Sequence, residues 1–472
     1  MHAITASRRA KSFSRKPLLA ALLFLICSLL FFWPGIAEYD TIVQYQQLLT
    51  RSYDDWHPPV MARLWSLLSF SGPGAAPLFV LQIATYWLGL GLLAQALGGR
   101  KAIALLLIGA NPLLLGWLAI VIKDSQAIGA LALATGIIGT YRLRNRPLPV
   151  PALLIAILCL AYATLLRANA AFSTVPLTML LIPYPRNGLA RLAVTVAAIP
   201  AVLLLSQPIN HGLLGARDSG VRRTQPIYDL AAIAVRTGDA PSLPPQAAPS
   251  LAAHHCVLPL FWDPLGDAPD CAALIRAWDK APVGPLYRLW ASAALAHPVA
   301  YLAHRLAHLN STERWLIPYH WPLAAPPAHG EPNRLGLASP ANPLVIPWQK
   351  SAGWLTEMPV AWPIFWVVAA LWGLWNLRGQ PPSAPRDLAL ALFTSALFQE
   401  ASFLALSISS DLRYHLWAMM ASALGWLILW PPRPSLRATG PAILAFALLI
   451  LSGTAARVML PPPTAQDMGQ AQ

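Results

Sequence analysis

Residues 17–33 read PLLAALLFLICSLLFFW, a run without a single charge, set between the basic stretch RRAKSFSRK at 8–16 and the loop PGIAEYD at 34–40. A charge-free run of this length predicts a helix crossing a hydrocarbon core roughly 30 Å thick. Cations ahead of an apolar run also mark secretory signals. Here no small-residue cleavage site follows and more apolar runs do, so a retained first span is the reading. Ten further runs lie near 76–97, 102–122, 125–141, 149–166, 168–183, 192–208, 359–377, 388–409, 414–430 and 440–458, giving eleven predicted spans. The chain is 56% hydrophobic and 11% charged, with mean hydropathy +0.52, more apolar surface than a soluble fold can hide. These features predict an all-α polytopic membrane protein.

Orientation follows from where the cations fall. Arg8, Arg9, Lys11, Arg15 and Lys16 precede the first span, and alternate connections carry Arg100/Lys101, Arg142/Arg144/Arg146, Arg186/Arg191, Arg378/Arg386 and Arg433/Arg437. Close to half of the 33 Lys and Arg sit in these segments, with one acid, Asp387, so the N-terminus is predicted inside and the C-terminus outside. The net charge of +14 therefore reflects topology and not nucleic-acid binding. The chain divides into a membrane module 1–208 with a first outer loop 34–75, an extracytoplasmic segment 209–358, C-terminal membrane helices 359–460 and a disordered tail 461–472. Within the segment, Ala240–Pro245 reads as a linker, and helices are expected over 270–280 and 285–310. Cys27 and Cys159 read as packing residues in spans. Cys256 and Cys271 lie in the outer segment, where a disulfide survives if the compartment is oxidising; the sequence leaves the bridge open.

The first outer loop is unusual for so apolar a chain: it crowds together Glu38, Asp40, Asp54 and Asp55. Carboxylates at a lipid–water boundary are expensive to desolvate and usually serve a function. Short helices are expected over 40–49 and 60–70, the second starting after Pro59 and laying Met61, Leu64, Trp65 and Leu68 on one face against the membrane surface. The predicted topology puts further polar groups at the same outer edge: His57, Lys123 and Asp124, Arg167 and Asn169, and Asp411, Arg413, Tyr414 and His415. The inner loops are short, without a GxxxxGK[ST] or GxGxxG motif, so an activated donor must come through the lipid or from outside. Acids facing bases across one end of a bundle suit group transfer from a phosphate. A carboxylate such as Asp40 accepts the acceptor's proton, while Lys123, Arg167 and Arg413 receive the leaving phosphate. The chemistry requires no cofactor. A divalent ion between carboxylates and phosphate is an option, with Asp54 or Asp55 as ligands.

The first span followed by Pro34-Gly35 and Asp40, then Asp55-Trp56-His57-Pro58-Pro59, resembles bacterial members of the GT-C superfamily of membrane glycosyltransferases. Ile122-Lys123-Asp124, Leu166-Arg167-Ala168-Asn169 and Asp411-Leu412-Arg413-Tyr414 resemble later landmarks of such proteins. The likeness covers roughly 17–170 and 388–430. It implies a polyprenyl-phosphate-linked sugar as donor, and a glycan, lipid or protein acceptor among membrane lipids. It also implies a bacterial inner membrane location with a periplasmic site. An acidic residue of the first outer loop then acts as catalytic base or metal ligand, which the match places on Asp40, with Glu38 competing because the acids are split as Glu38-Tyr39-Asp40. Asp55 and His57 join them as catalytic candidates, and Asp54, Asp124, Tyr414 and His415 as supporting ones.

Each signal has a plainer reading. Asp40 can be the N-cap of a helix starting at Thr41, His57 can fix a turn before two prolines, and Lys123-Asp124 can be a local ion pair. Glu400, beside Gln399, is an intramembrane acid that either pairs with another span or shapes an acceptor tunnel. His297, His304 and His308 share one helical face and read as packed or solvated. Two other functions compete: a polysaccharide polymerase or ligase, which leans on outer-loop Arg and His, and a lipid-linked glycan transporter or flippase. The latter is disfavoured by the lack of an internal repeat and by charges gathered at one face.

Overall fold

The computed structural model describes residues 15–178, 188–430 and 436–464. Cations 8–11, Arg186, Arg433 and all but the first residues of the predicted tail lie outside the described residues. The first half contains α1 (Lys16–Phe32), α2 (Tyr39–Thr50), α3 (Val60–Leu68), α4 (Ala76–Leu97), α5 (Gly99–Gly109), α6 (Pro112–Leu118), α7 (Lys123–Leu143), α8 (Val150–Leu166), α9 (Ala171–Thr178) and α10 (Gly188–Gln207). The outer segment contains α11 (Val221–Thr237), α12 (Ala247–Ala253), α13 (Asp263–Asp267), α14 (Pro269–Leu274), α15 (Arg276–Asp279), α16 (Val283–Ala296), α17 (Pro298–Thr312) and α18 (Val345–Leu355). The chain closes with α19 (Pro363–Leu377), α20 (Ala384–Leu406), α21 (Leu416–Leu429) and α22 (Leu436–Met459). Extended pairing among the described residues is confined to isolated bridges.

The architecture is that of an all-α membrane protein, but the expectation of eleven spans is corrected. Among the described residues, 4 helices can cross a membrane by length and composition: α4, Leu189–Leu213 (α10 continued through a π-helical stretch), α20, and Thr439–Met459 of α22. A fifth counts if α5 and α6, bent by 55° at their junction, form one span. The charge-free window 102–122 concealed that break, where Asn111 accepts the Leu113 N–H and Pro112 starts a new helix. Likewise α1, α8 and α19 are apolar but short. The run at 168–183 breaks into a 3₁₀ turn at Ala168–Ala170 and α9, before residues outside the description.

The bundle centres on α4 and α7. Gly89 of α4 meets the Ala132–Leu133 backbone, and Gly136 of α7 meets the Gly89 carbonyl, so a Cβ at either would collide with the opposite main chain. Small residues are how membrane helices come this close, since lipid supplies no hydrophobic force to drive them together. Where α6 ends, the Gln82 amide donates to Leu118 O (2.7 Å) and Ile120 O (2.9 Å), satisfying carbonyls that a continuous helix would have used itself.

That break positions the first loop. Ile36 lies alongside Ile120, donating to Ala119 O (2.8 Å) and accepting from Val121 N (3.0 Å). Gly35 has φ +96°, and a Cβ there would stand 2.8 Å from Val121 and 3.1 Å from Phe79, so only glycine admits this approach. Residues just after Ile36 are thereby pinned to the start of α7. At the opposite end of the bundle, Lys101 donates to Ile428 O and Arg144 to Gln95, keeping these predicted inner-face cations away from the loop.

The outer segment has its own core around Tyr228, Leu230, Trp278 and Leu286. Cys256 and Cys271 are bridged. The tract Ala240–Pro245 is packed, since Trp278 donates to Pro241 O. The predicted helix at 285–310 is divided into α16 and α17 at His297, because Pro298 cannot continue the ladder. Buried Asp229 receives Arg305 (2.7 Å), Trp290 (2.8 Å) and Gln225 (2.6 Å). Arg305 also donates to Ser407 O, and Phe261 bridges Ser409, so the segment is fastened to the connection after α20.

Candidate active site

Asp40 does not cap its helix. The helix begins at Tyr39, the N-cap is Glu38, and the Thr41 hydroxyl accepts the Glu38 N–H while donating to Val121 O. Asp40 sits in the first turn, its carboxylate free to reach across to other elements. It meets Lys123 at the start of α7 (3.6 Å) and Arg413 before α21 (3.4 Å).

Arg413 is the hub. Its guanidinium binds Glu38, and reaches Asp40 (3.4 Å), Asp124 (3.7 Å) and Asp411 (3.7 Å), with the Arg413 side chain only 10% exposed. Arg167 donates to Asp124 (2.5 Å) and to Asn169 (3.3 Å), and lies flat on the Tyr414 ring at 3.7 Å. Lys123 approaches His57 Nδ1 at 3.2 Å. Three cations thus face four carboxylates, contributed by four segments of the chain, 38–40, 123–124, 167 and 411–413, at one end of the bundle. Beneath them a cavity of about 30 Å³, lined by Asp124, Arg167, Ser173, Arg413, Tyr414 and Trp417, has room for water but not for a sugar.

The electrostatics sort these groups. Burial raises the Glu38 carboxyl to about 7 against the pull of Arg413, so one of the four acids keeps its proton through the mildly acidic range and releases it near neutrality. Burial works the same way on Asp40, but Lys123 and Arg413 outweigh it and hold Asp40 below the usual carboxylate range, ionised. Burial and then Lys123 push His57 down to about 3, so its ring is neutral. Neutral His57 receives the Lys123 ammonium on Nδ1, which assigns the ring proton to Nε2.

Two proposed catalytic or ligand residues stand elsewhere. Asp54 accepts the N–H groups of Trp56 (3.0 Å) and His57 (3.4 Å), holding that turn in shape. Asp55 accepts the Ser219 N–H and hydroxyl (2.7 Å each) and faces His211 (3.4 Å), tying the loop to the outer segment. Both carboxylates are thus engaged within the loop and with the outer segment, and neither is among the acids that meet Arg413. His415 also points away, into a separate buried group with Thr312 and Glu400. Glu400 therefore pairs with the turn after its own helix.

No family model, curated protein or solved structure matches this chain. The site is read from its geometry. That geometry gives a place to residues to which the sequence assigned no role: Asp411, located only at the outer edge, and two glutamines. Asp411 is a fourth acid on Arg413. Gln44 and Gln47 follow Asp40 at i+4 and i+7, are 1% and 6% exposed, and have both amide ends without a hydrogen-bond partner. The helical spacing from Asp40 was the signal that could have found them.

Proposed function

We propose that this protein is an extracytoplasmic-face glycosyltransferase of the GT-C type, moving a sugar from a polyprenyl phosphate to an envelope glycan, lipid or protein. The observation that carries the reading is the meeting of Lys123, Arg167 and Arg413 with Glu38 and Asp40 at one end of an apolar helix bundle. A buried guanidinium such as Arg413, with three of its four acid contacts at 3.4–3.7 Å, is suited to exchange carboxylates for a phosphate, whose oxygens it matches in pairs. Lys101 and Arg144 at the opposite end of the bundle support taking the end that holds the cluster as the non-cytosolic one.

In this reading the lipid phosphate docks on Arg413, Arg167 and Lys123. The cations it recruits are those that hold Asp40 ionised, so donor binding frees Asp40 and raises its basicity at the moment a proton must be accepted. Asp40 takes the proton of the acceptor hydroxyl as that oxygen attacks the anomeric carbon and the sugar–phosphate bond breaks, leaving polyprenyl phosphate against the cations. Glu38 holds Arg413 in place, neutral His57 keeps Lys123 aimed at the site, and Tyr414 supports Arg167 from below. Gln44 and Gln47 offer amide donors and acceptors to sugar hydroxyls. The small cavity requires α2 and its loop to shift outward when the donor enters.

Purified protein given a panel of polyprenyl-phosphate hexoses and pentoses tests this. Sugar transfer or slow hydrolysis by the wild type, lost in Asp40→Asn, supports the reading. Folded protein inert towards the whole panel overturns it. Activity that persists in Asp40→Asn but vanishes in Arg413→Ala moves the assignment to a polymerase-like enzyme.

A further inference from the structure

A second buried polar group lies where three parts of the chain meet. Glu313 follows α17, Glu400 sits in the last part of α20, and His415 closes the 3₁₀ turn Leu412–His415 before α21. One ligand-type atom from each lies within 4.8 Å of the others, and all three residues are buried. His415 Nδ1 faces Glu400 Oε2 at 2.6 Å, and its Nε2 faces Thr312 Oγ1 at 2.8 Å. Glu313 Oε2 and Glu400 Oε1 have no hydrogen-bond partner, on residues only 5% and 4% exposed.

The neighbouring guanidinium groups are otherwise engaged. Arg314 donates to Pro322 O and Trp321 O, and Arg167 is held by Asp124. Two carboxyl groups buried side by side without a protein cation need either a shared proton or a counter-ion, since each unpaired buried ion costs several kcal/mol. An imidazole with one nitrogen turned to the carboxylates and the other fixed by a hydroxyl is how metal-bound histidines are arranged. One nitrogen and two carboxylate donors in a dry site suit zinc, whereas magnesium and calcium favour all-oxygen, more hydrated sites.

We propose that Glu313, Glu400 and His415 bind a divalent cation of the zinc class, with Thr312 holding the histidine in position. The ion links the outer segment, through the end of α17, to α20 and to the turn that carries Asp411 and Arg413. Its role is to hold that turn; it takes no part in the transfer, and the proposal stands whether or not the transferase reading does.

Full-length protein purified without chelator is analysed for metals, and its melting is followed with chelator and with added Zn²⁺. Stoichiometric zinc, a melting temperature lowered by chelation and restored by Zn²⁺, and loss of the metal in His415→Ala support the site. Glu313→Gln, which preserves volume, must also lose it, and guards against a histidine variant that fails to fold. Asp40→Asn must retain it. Wild-type protein that takes up no zinc and melts alike with chelator and Zn²⁺ overturns the proposal, leaving the carboxyl pair neutralised by a proton. So does zinc held equally by both variants.

Discussion

Two buried ionic groups in this molecule are built differently. In the outer segment, Asp229 meets one guanidinium, Arg305, at 2.7 Å, with Trp290 and Gln225 on its other oxygen and His304 nearby at 3.5 Å. At the end of the bundle, Arg413 is shared among four acids, three of them at 3.4–3.7 Å, and Glu38 is pushed to about 7. The first is a balanced pair that fastens two elements. The second holds more carboxylates than its cations can serve closely, so its contacts are available for exchange. A settled pair marks a strut, and an over-subscribed cation marks a place where a ligand's charge can enter.

The sharpest way to break the contrast is Asp40→Asn. Transfer should fall by about 10²–10⁴-fold, the usual range for a general base. Folding, read by the melting temperature, should be little changed. Substitution in the strut should do the reverse. Arg305→Met leaves Asp229 buried without its cation and should cost about 3–5 kcal/mol of stability. Adding Asp229→Asn should recover much of that loss, and activity should track the folded fraction throughout.

Gln44→Met sharpens the comparison from another side. If the orphaned amide is kept for a ligand, replacing it with an apolar residue of similar size should stabilise the protein by about 1 kcal/mol or more, while weakening donor use. An amide that only packs would lose neither donor affinity nor rate. The smallest effect belongs to Glu38. Between pH 4.5 and about 7 the folded chain keeps a proton on Glu38 that the unfolded chain has released. Stability should therefore fall as pH rises through that window, and Glu38→Gln should remove the slope.

Much of the cluster was legible before the fold. Asp40, Lys123, Arg167 and Arg413 each stand where an apolar run gives way to a polar turn, which marks them as residues of a membrane edge before any fold is known. The span count was less legible. Hydropathy windows do not register the Asn111-Pro112 break, the 3₁₀ turn at 168–170, or the end of α6, where the Gln82 amide takes up the freed Leu118 and Ile120 carbonyls. Asp55 and His415 both face away from Arg413: proximity in sequence to Asp40 and Arg413 says nothing of direction. Ser219 and Thr312, which claim them, lie far along the chain. The pairing of Ile36 with Ile120 that brings the loop home is likewise a contact between two unremarkable apolar residues.

The most direct test is the affinity of the purified protein for polyprenyl monophosphate, against polyprenol as the uncharged control, in wild type and Arg413→Gln. The phosphate form should bind the wild type at least about tenfold more tightly than the alcohol, the scale of one charge-assisted contact, and Arg413→Gln should erase that preference. Equal affinity for the two lipids in the wild type, or a preference that survives in Arg413→Gln, would contradict a phosphate site at this cluster.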